Sequence, residues 1–198
     1  MHLDTSSPLT SPLNQALKIV GRLSRRDFMA FAGAAVGVAA GGAASVAQAQ
    51  APALKSINAA EADIFRRVAE VVLPVGGSPL APWTPEVLLG TLDAALLGTM
   101  PPHVLAGLKG GLQYFNEGPV AQHGKRFTAL DDATATAFLD AWGNAKEVPH
   151  RALASGLKKL VQLSYWANPA SWAPLEYDGP ISKRNGLKSL GNAPLPTR

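Results

Sequence analysis

Apolar positions along this chain recur at helical rather than strand spacing. Ile64, Phe65, Val68, Val71 and Val72 follow one another at three- and four-residue steps. Ahead of them, Asn58-Ala-Ala-Glu61 has capping-box spacing, with Asn in place of the usual Ser or Thr. Pro74, Gly76, Gly77 and Pro79 stop this helix and make a loop. Thr84-Pro85-Glu86 supplies the N-cap, N1 proline and first-turn acid of a second helix, whose face is Leu88, Leu89, Leu92, Ala95 and Leu96. Pro101 and Pro102 begin a third helix, expected to be looser because Gly107, Gly110 and Gly111 each cost about 1 kcal/mol relative to alanine. Asp131 caps a fourth that carries Phe138, Leu139 and Trp142. Pro149 opens a fifth, with Leu153, Leu157, Leu160, Val161 and Ser164 on one stripe. No segment alternates at period two with β-branched enrichment, so strands are not expected. The pattern predicts an all-α fold, a compact bundle of about five helices.

Both ends break this pattern. Residues 1–24 form a polar leader that runs into Ser24-Arg25-Arg26-Asp27-Phe28-Met29. An uncharged stretch of Ala, Gly and Val follows from Phe28 to Leu54, and within it Ala47-Gln48-Ala49 is a small-x-small cleavage site. Cutting after Ala49 leaves Gln50 as the new N-terminus; the competing frame, Ala49-Gln50-Ala51, places Pro52 just past the cut. The segment resembles the twin-arginine (Tat) signal pattern S-R-R-x-F-L-K, with Met29 in place of Leu and Ala30 where Lys is common. The uncharged stretch is long enough to span a ~30 Å hydrocarbon core. Its glycines at 33, 37, 41 and 42 give it little transfer energy, which favours a cleaved signal helix over a retained anchor.

At the other end, residues 179–198 hold Gly179, Pro180, Gly186, Gly191, Pro194 and Pro196, several basic residues and no acid. They read as an extended basic tail, either disordered or draped over a partner. The organisation expected is therefore a signal peptide at 1–49, a helical domain at 50–178 and a tail at 179–198.

A length of 198 residues suits one domain with an appendage. The charged fraction of 16% is low, and the apolar 47% is enough to offset the entropy of ordering the chain. A net charge of +4 is too small to argue for nucleic acid. The absence of cysteine excludes disulfides, thiolate zinc sites, iron–sulfur clusters, covalently attached haem and a cysteine nucleophile in this chain. His103, His123 and His150 lack metal-ligand spacing and are expected at the surface or at helix caps. Asp131-Asp132 suits a helix start, and Lys158-Lys159 a solvated helix face. The glycine-rich stretches match neither a dinucleotide fingerprint nor a P-loop, and Ser155 and Ser164 lack nucleophile-elbow context. Nothing here composes a catalytic, cofactor or metal site, so the chain is not expected to be an enzyme by itself.

One cluster exceeds this background. Of the four Trp and three Tyr, Tyr165, Trp166, Trp172 and Tyr177 fall within a short run near the C-terminus. Asn168-Pro169 ends the fifth helix, and Pro169 can start a short helical turn that presents Trp172. Trp and Tyr are favoured at binding surfaces because they bury a large area with few rotors and a polar tip. The alternative is that Tyr165, Trp166 and Trp172 simply close the helical core.

This run resembles the small-subunit family named after gluconate 2-dehydrogenase subunit 3. Its members carry a helix ending in aromatics, then a polar residue with Pro, a Trp, and a Tyr-x-Gly-Pro close. Here these positions are Tyr165, Trp166, Asn168, Pro169, Trp172, Tyr177, Gly179 and Pro180. The twin-arginine leader and the Leu73-Pro74 pair also fit, while Ser78-Pro79 departs from the Gly-Ala common in members. The resemblance implies a non-catalytic periplasmic subunit, held at the inner membrane through its complex. The implied partners are a large FAD-containing dehydrogenase of the glucose–methanol–choline class and a c-type cytochrome subunit carrying haem. The Tat translocase, which carries folded proteins, would export the flavoprotein on this chain's signal. Tyr165, Trp166, Trp172, Tyr177, Lys183 and Arg184 are the expected interface. The alternative is a stand-alone Tat-exported periplasmic binding protein, with the glycine-broken third helix lining its ligand pocket.

Overall fold

The computed structural model describes residues 54–73, 75–179 and 181–186. Outside them lie the residues expected to form the signal motif, Ser24, Arg25, Arg26, Phe28 and Met29, those of the expected cleavage site, Ala47 and Ala49, and also Pro74, Pro180, the side chain of Lys183 and the residues beyond 186. Every regular element among the described residues is helical.

Helix α1 (Ala59–Val72) opens with a reciprocal capping box. The Asn58 carboxamide oxygen accepts the Glu61 N–H, and the Glu61 carboxylate accepts the Asn58 N–H, both at 2.9 Å. Ile64, Phe65 and Val68 are fully buried, as their spacing predicts. Helix α2 (Pro85–Thr91) starts at Thr84 with proline in the first turn. The apolar face anticipated as far as Leu96 is present, but the helix does not stay α over that length. It widens into a π-helical segment, Leu92–Leu96, and then tightens into a 3-10 turn, Leu97–Thr99. Leu92, Leu96 and Leu97 are buried there together with Asp93. Gly98 lies in this turn, and a Cβ there would sit tightly, 3.1 Å from the Asp93 carbonyl oxygen.

Helix α3 (Pro102–Glu117) is continuous through all three of its glycines. Val104, Leu108, Leu112 and Phe115 form a buried stripe along its length, and packing of that stripe supports the helix. A single turn, α4 (Val120–His123), ends at Gly124 in the left-handed region, φ 64°. Helix α5 (Asp132–Gly143) is capped by Asp131, whose carboxylate accepts the Thr134 N–H at 2.9 Å. Helix α6 (Val148–Trp166) is the longest, and the whole predicted stripe from Leu153 to Ser164 is buried against α1, α5 and α2. A last turn, α7 (Ile181–Arg184), lies where extended chain was anticipated.

Two interior features lock these helices together. Phe115, Phe127 and Phe138 pack with ring centroids 4.6–6.0 Å apart. Arg67 on α1 reaches across to α5. It donates to the Leu130 carbonyl at 2.8 Å and pairs with Glu70 and Asp132, each at 2.8 Å. Burial disfavours its charge, but the two carboxylates outweigh that and hold its pKa above the usual guanidinium value. Among the described residues, no helix is long and apolar enough to cross a membrane.

Candidate functional site: a C-terminal aromatic hook

The chain reverses direction immediately after α6, and the reversal is built around one indole. The Asn168 carboxamide accepts the Ala170 N–H at 3.1 Å and the Ser171 hydroxyl donates to the Asn168 carbonyl at 2.7 Å, which shapes a 3-10 turn at Pro169–Ser171. Trp172 follows, as the proline placement predicts, and a second 3-10 turn spans Ala173–Leu175. Glu176 then adopts a left-handed conformation, φ 53°, unusual for a residue with a Cβ. This turns Tyr177 back, so that its N–H reaches the Trp172 carbonyl at 3.2 Å and its ring meets the indole edge-on at 5.3 Å.

The indole is held from three directions. Its Nε1–H donates to the Trp166 carbonyl at 2.8 Å, Tyr177 covers one edge, and Gly179 lies against the ring. Gly179 is at φ 96°, and a Cβ there would sit 3.2 Å from the Trp172 ring. Only glycine meets both requirements without strain. Outside this braced core, Leu175 is 50%, Tyr177 44% and Ile181 63% exposed.

The anticipated interface residues therefore divide. Tyr165 belongs to the core: it is 4% exposed and its phenol donates to the Ala81 carbonyl at 2.8 Å. Burial pushes its pKa up. Trp166 is half-buried, packed edge-on to Tyr165 at 4.8 Å. Trp172 is half-buried and serves as the hook's hub, whereas Tyr177 is displayed. Arg184 is exposed and pairs with Asp178 at 3.1 Å. Leu175 and Ile181 complete the apolar display but carry no sequence signal of their own. Their placement follows from the left-handed Glu176 and the turn of α7.

Two other places are shaped. A groove of about 500 Å³ runs between α4 and α5, lined by Gln122, His123, Ala133, Thr134, Ala137, Phe138 and Ala141. The α3 glycines do not line it. At the far end of α6 from the hook, His150 lies in the helix's first turn and is partly exposed. Its Nε2 lies 2.8 Å from the Tyr114 hydroxyl, and its ring stacks on Trp142 at 4.2 Å. Among the described residues, no group of three or more His, Asp or Glu is arranged to hold a metal ion. No protein-family model matches the chain, and no curated protein or solved structure matches it.

Proposed function

We propose that this chain is a non-catalytic accessory subunit of a periplasmic flavin-dependent dehydrogenase of the glucose–methanol–choline class, acting on a sugar, sugar acid or alcohol. It stabilises the folded flavoprotein and escorts it through the Tat translocase on its own twin-arginine signal. FAD resides in that partner, and haem c in the cytochrome subunit that takes the electrons.

The observation that supports this reading most is the hook. An interface anchor is most effective when its ordering entropy has already been met within the free protein. The indole of Trp172 is fixed by bonds and contacts within this chain, so Leu175, Tyr177 and Ile181 are displayed on a rigid base. These residues cluster where the resemblance to the small-subunit family is most specific. The sequence carries a twin-arginine signal but no legible cofactor motif, which fits a signal carried on behalf of another protein.

The test is copurification from native periplasm with Leu175→Asp combined with Tyr177→Ala. Both side chains are about half exposed, so the helical domain keeps its fold by circular dichroism. Loss of a central apolar anchor costs at least ~2 kcal/mol, so recovery of the flavoprotein falls by roughly tenfold or more. Unchanged recovery with a folded double variant overturns the assignment of the hook. The second reading, a stand-alone binding protein, draws its support from the groove between α4 and α5 rather than from the α3 glycines. It requires a chain that purifies alone with a small apolar ligand.

A further inference from the structure

The groove between α4 and α5 takes no part in the hook, and no carboxylate, lysine or arginine lines it. Ala133, Ala137 and Ala141 recur every four residues along α5 and are exposed together, so one side of the groove is bare methyl groups. Phe138 lines it from the core side, 8% exposed and packed against the rings of Phe115, Phe127 and Trp142. The Thr134 hydroxyl donates to the Asp131 carboxylate at 2.8 Å, so its own hydrogen is already satisfied without an occupant. Gln122 and His123 supply the α4 wall. A surface of this kind recognises shape and apolar contact, not charge.

We propose that this groove is the docking site of the chain's own leader, residues 28–46, which packs along α5 in the folded, uncleaved protein. Those residues carry no charge, and Gly33, Gly37 and Gly41 recur at the same four-residue step as the three alanines. Helix axes ordinarily pack about 8–10 Å apart, and facing positions that carry only hydrogen or methyl let two backbones come closer than that. Each glycine weakens a lone helix by about 1 kcal/mol, so the leader takes its order from packing and not from propensity.

The leader is tethered within reach of the groove. Its C-terminal end is fixed where Asp93 pins the amides of Lys55, Ser56 and Ile57, directly ahead of α1. About 12 Å along α1 from its start, Arg67 pairs with Asp132 in the first turn of α5. Residues 42–54 stretch to about 40 Å, which covers that span with slack. The chain's other end matches the groove less well. Residues 187–198 carry Lys188 and Arg198, and Pro194 and Pro196 interrupt any helix there. Taken with the export reading proposed above, on which this consequence rests, the docked leader is a latch. It is held only by a domain whose α4 and α5 have already packed, and the translocase must displace it.

The experiment is hydrogen exchange by mass spectrometry on the full, uncleaved chain in buffer without detergent. The expected result is exchange in residues 28–46 at least about tenfold slower than the unstructured-chain rate. Ala137→Arg places a long cation in the groove from an exposed position, and is expected to return the leader to that unstructured rate while circular dichroism stays unchanged. Gly37→Arg is expected to do the same from the leader's side, and decides the matter if Ala137→Arg does not fold. Leader amides that exchange at the unstructured rate in the unaltered chain overturn the proposal, as does protection that survives both substitutions. Protection of 187–198 in its place assigns the groove to the tail, and protection that grows with protein concentration assigns it to a second copy; either result overturns it too. No translocase takes part, so the outcome is separate from that of the export reading. An exported chain with a free leader sinks the latch alone, and a docked leader on a chain that is not exported sinks the escort role alone.

Discussion

The phenol of Tyr165 ties the C-terminal end of α6 to the loop ahead of α2, through its bond to the Ala81 carbonyl. Tyr165→Phe removes that bond and leaves the carbonyl without its partner, and is expected to cost about 1 kcal/mol in denaturant unfolding. The pH dependence of that cost has a definite sign. Burial raises the folded-state pKa above the usual phenol value of about 10, so the fold favours the neutral phenol. The resulting stabilisation is fully present below pH ~10 and is lost as pH rises through the folded pKa. The unaltered protein therefore loses stability along this alkaline limb, and Tyr165→Phe flattens it; unfolding series at stepped pH measure the difference. Tyr165 and Trp172 lie only one short turn apart in sequence, yet one is core and the other is the hub of a displayed loop. Composition could not separate them. What separates them is the end of α6, since a residue on its buried stripe points inward and a residue beyond its cap does not.

The helices were legible because their ends are written in short-range chemistry. The Asn58–Glu61 pair, Thr84-Pro85-Glu86, Asp131 and Pro149 each lie at or next to a helix start, and the apolar stripes behind them are buried. The π-segment at Leu92–Leu96 was not legible, and neither were the contacts it makes 36–38 residues away in sequence. The Asp93 carboxylate accepts backbone N–H groups from Lys55 at 2.8 Å, Ser56 at 2.7 Å and Ile57 at 3.2 Å. A carboxylate that gathers three donors in a buried place holds an otherwise non-regular strand of chain against the bundle. Asp93→Ala is expected to release that segment at a cost of about 2–4 kcal/mol. Hydrogen exchange of the Lys55, Ser56 and Ile57 amides reports it directly, and protection that survives the substitution would assign their ordering to other contacts. The corner of Tyr114, Trp142 and His150 was hidden for the same reason, since three helices must pack before these side chains meet.

For the molecule as a whole, the proposed escort role makes the leader and the hook two ends of one device. Arg25→Lys with Arg26→Lys is expected to strand both this chain and its dehydrogenase in the cytoplasm, read by fractionation of cells and assay of the dehydrogenase in each compartment. A dehydrogenase exported as before by that variant counts against escort while leaving the hook's role in binding open to the copurification test. The fold class was legible at this level from periodicity alone, whereas the side-chain display of the hook depended on Glu176 turning left-handed. No propensity argument for a glutamate would have placed it there.

The Asp93 clamp also has a bearing on maturation. If the leader is cut after Ala49, only residues 50–54 separate the new terminus from the first pinned amide at Lys55. Fully stretched, that leash reaches about 17 Å. A membrane-bound peptidase would then have to work almost against the folded body, and loosening the clamp would lengthen its reach and speed the cut.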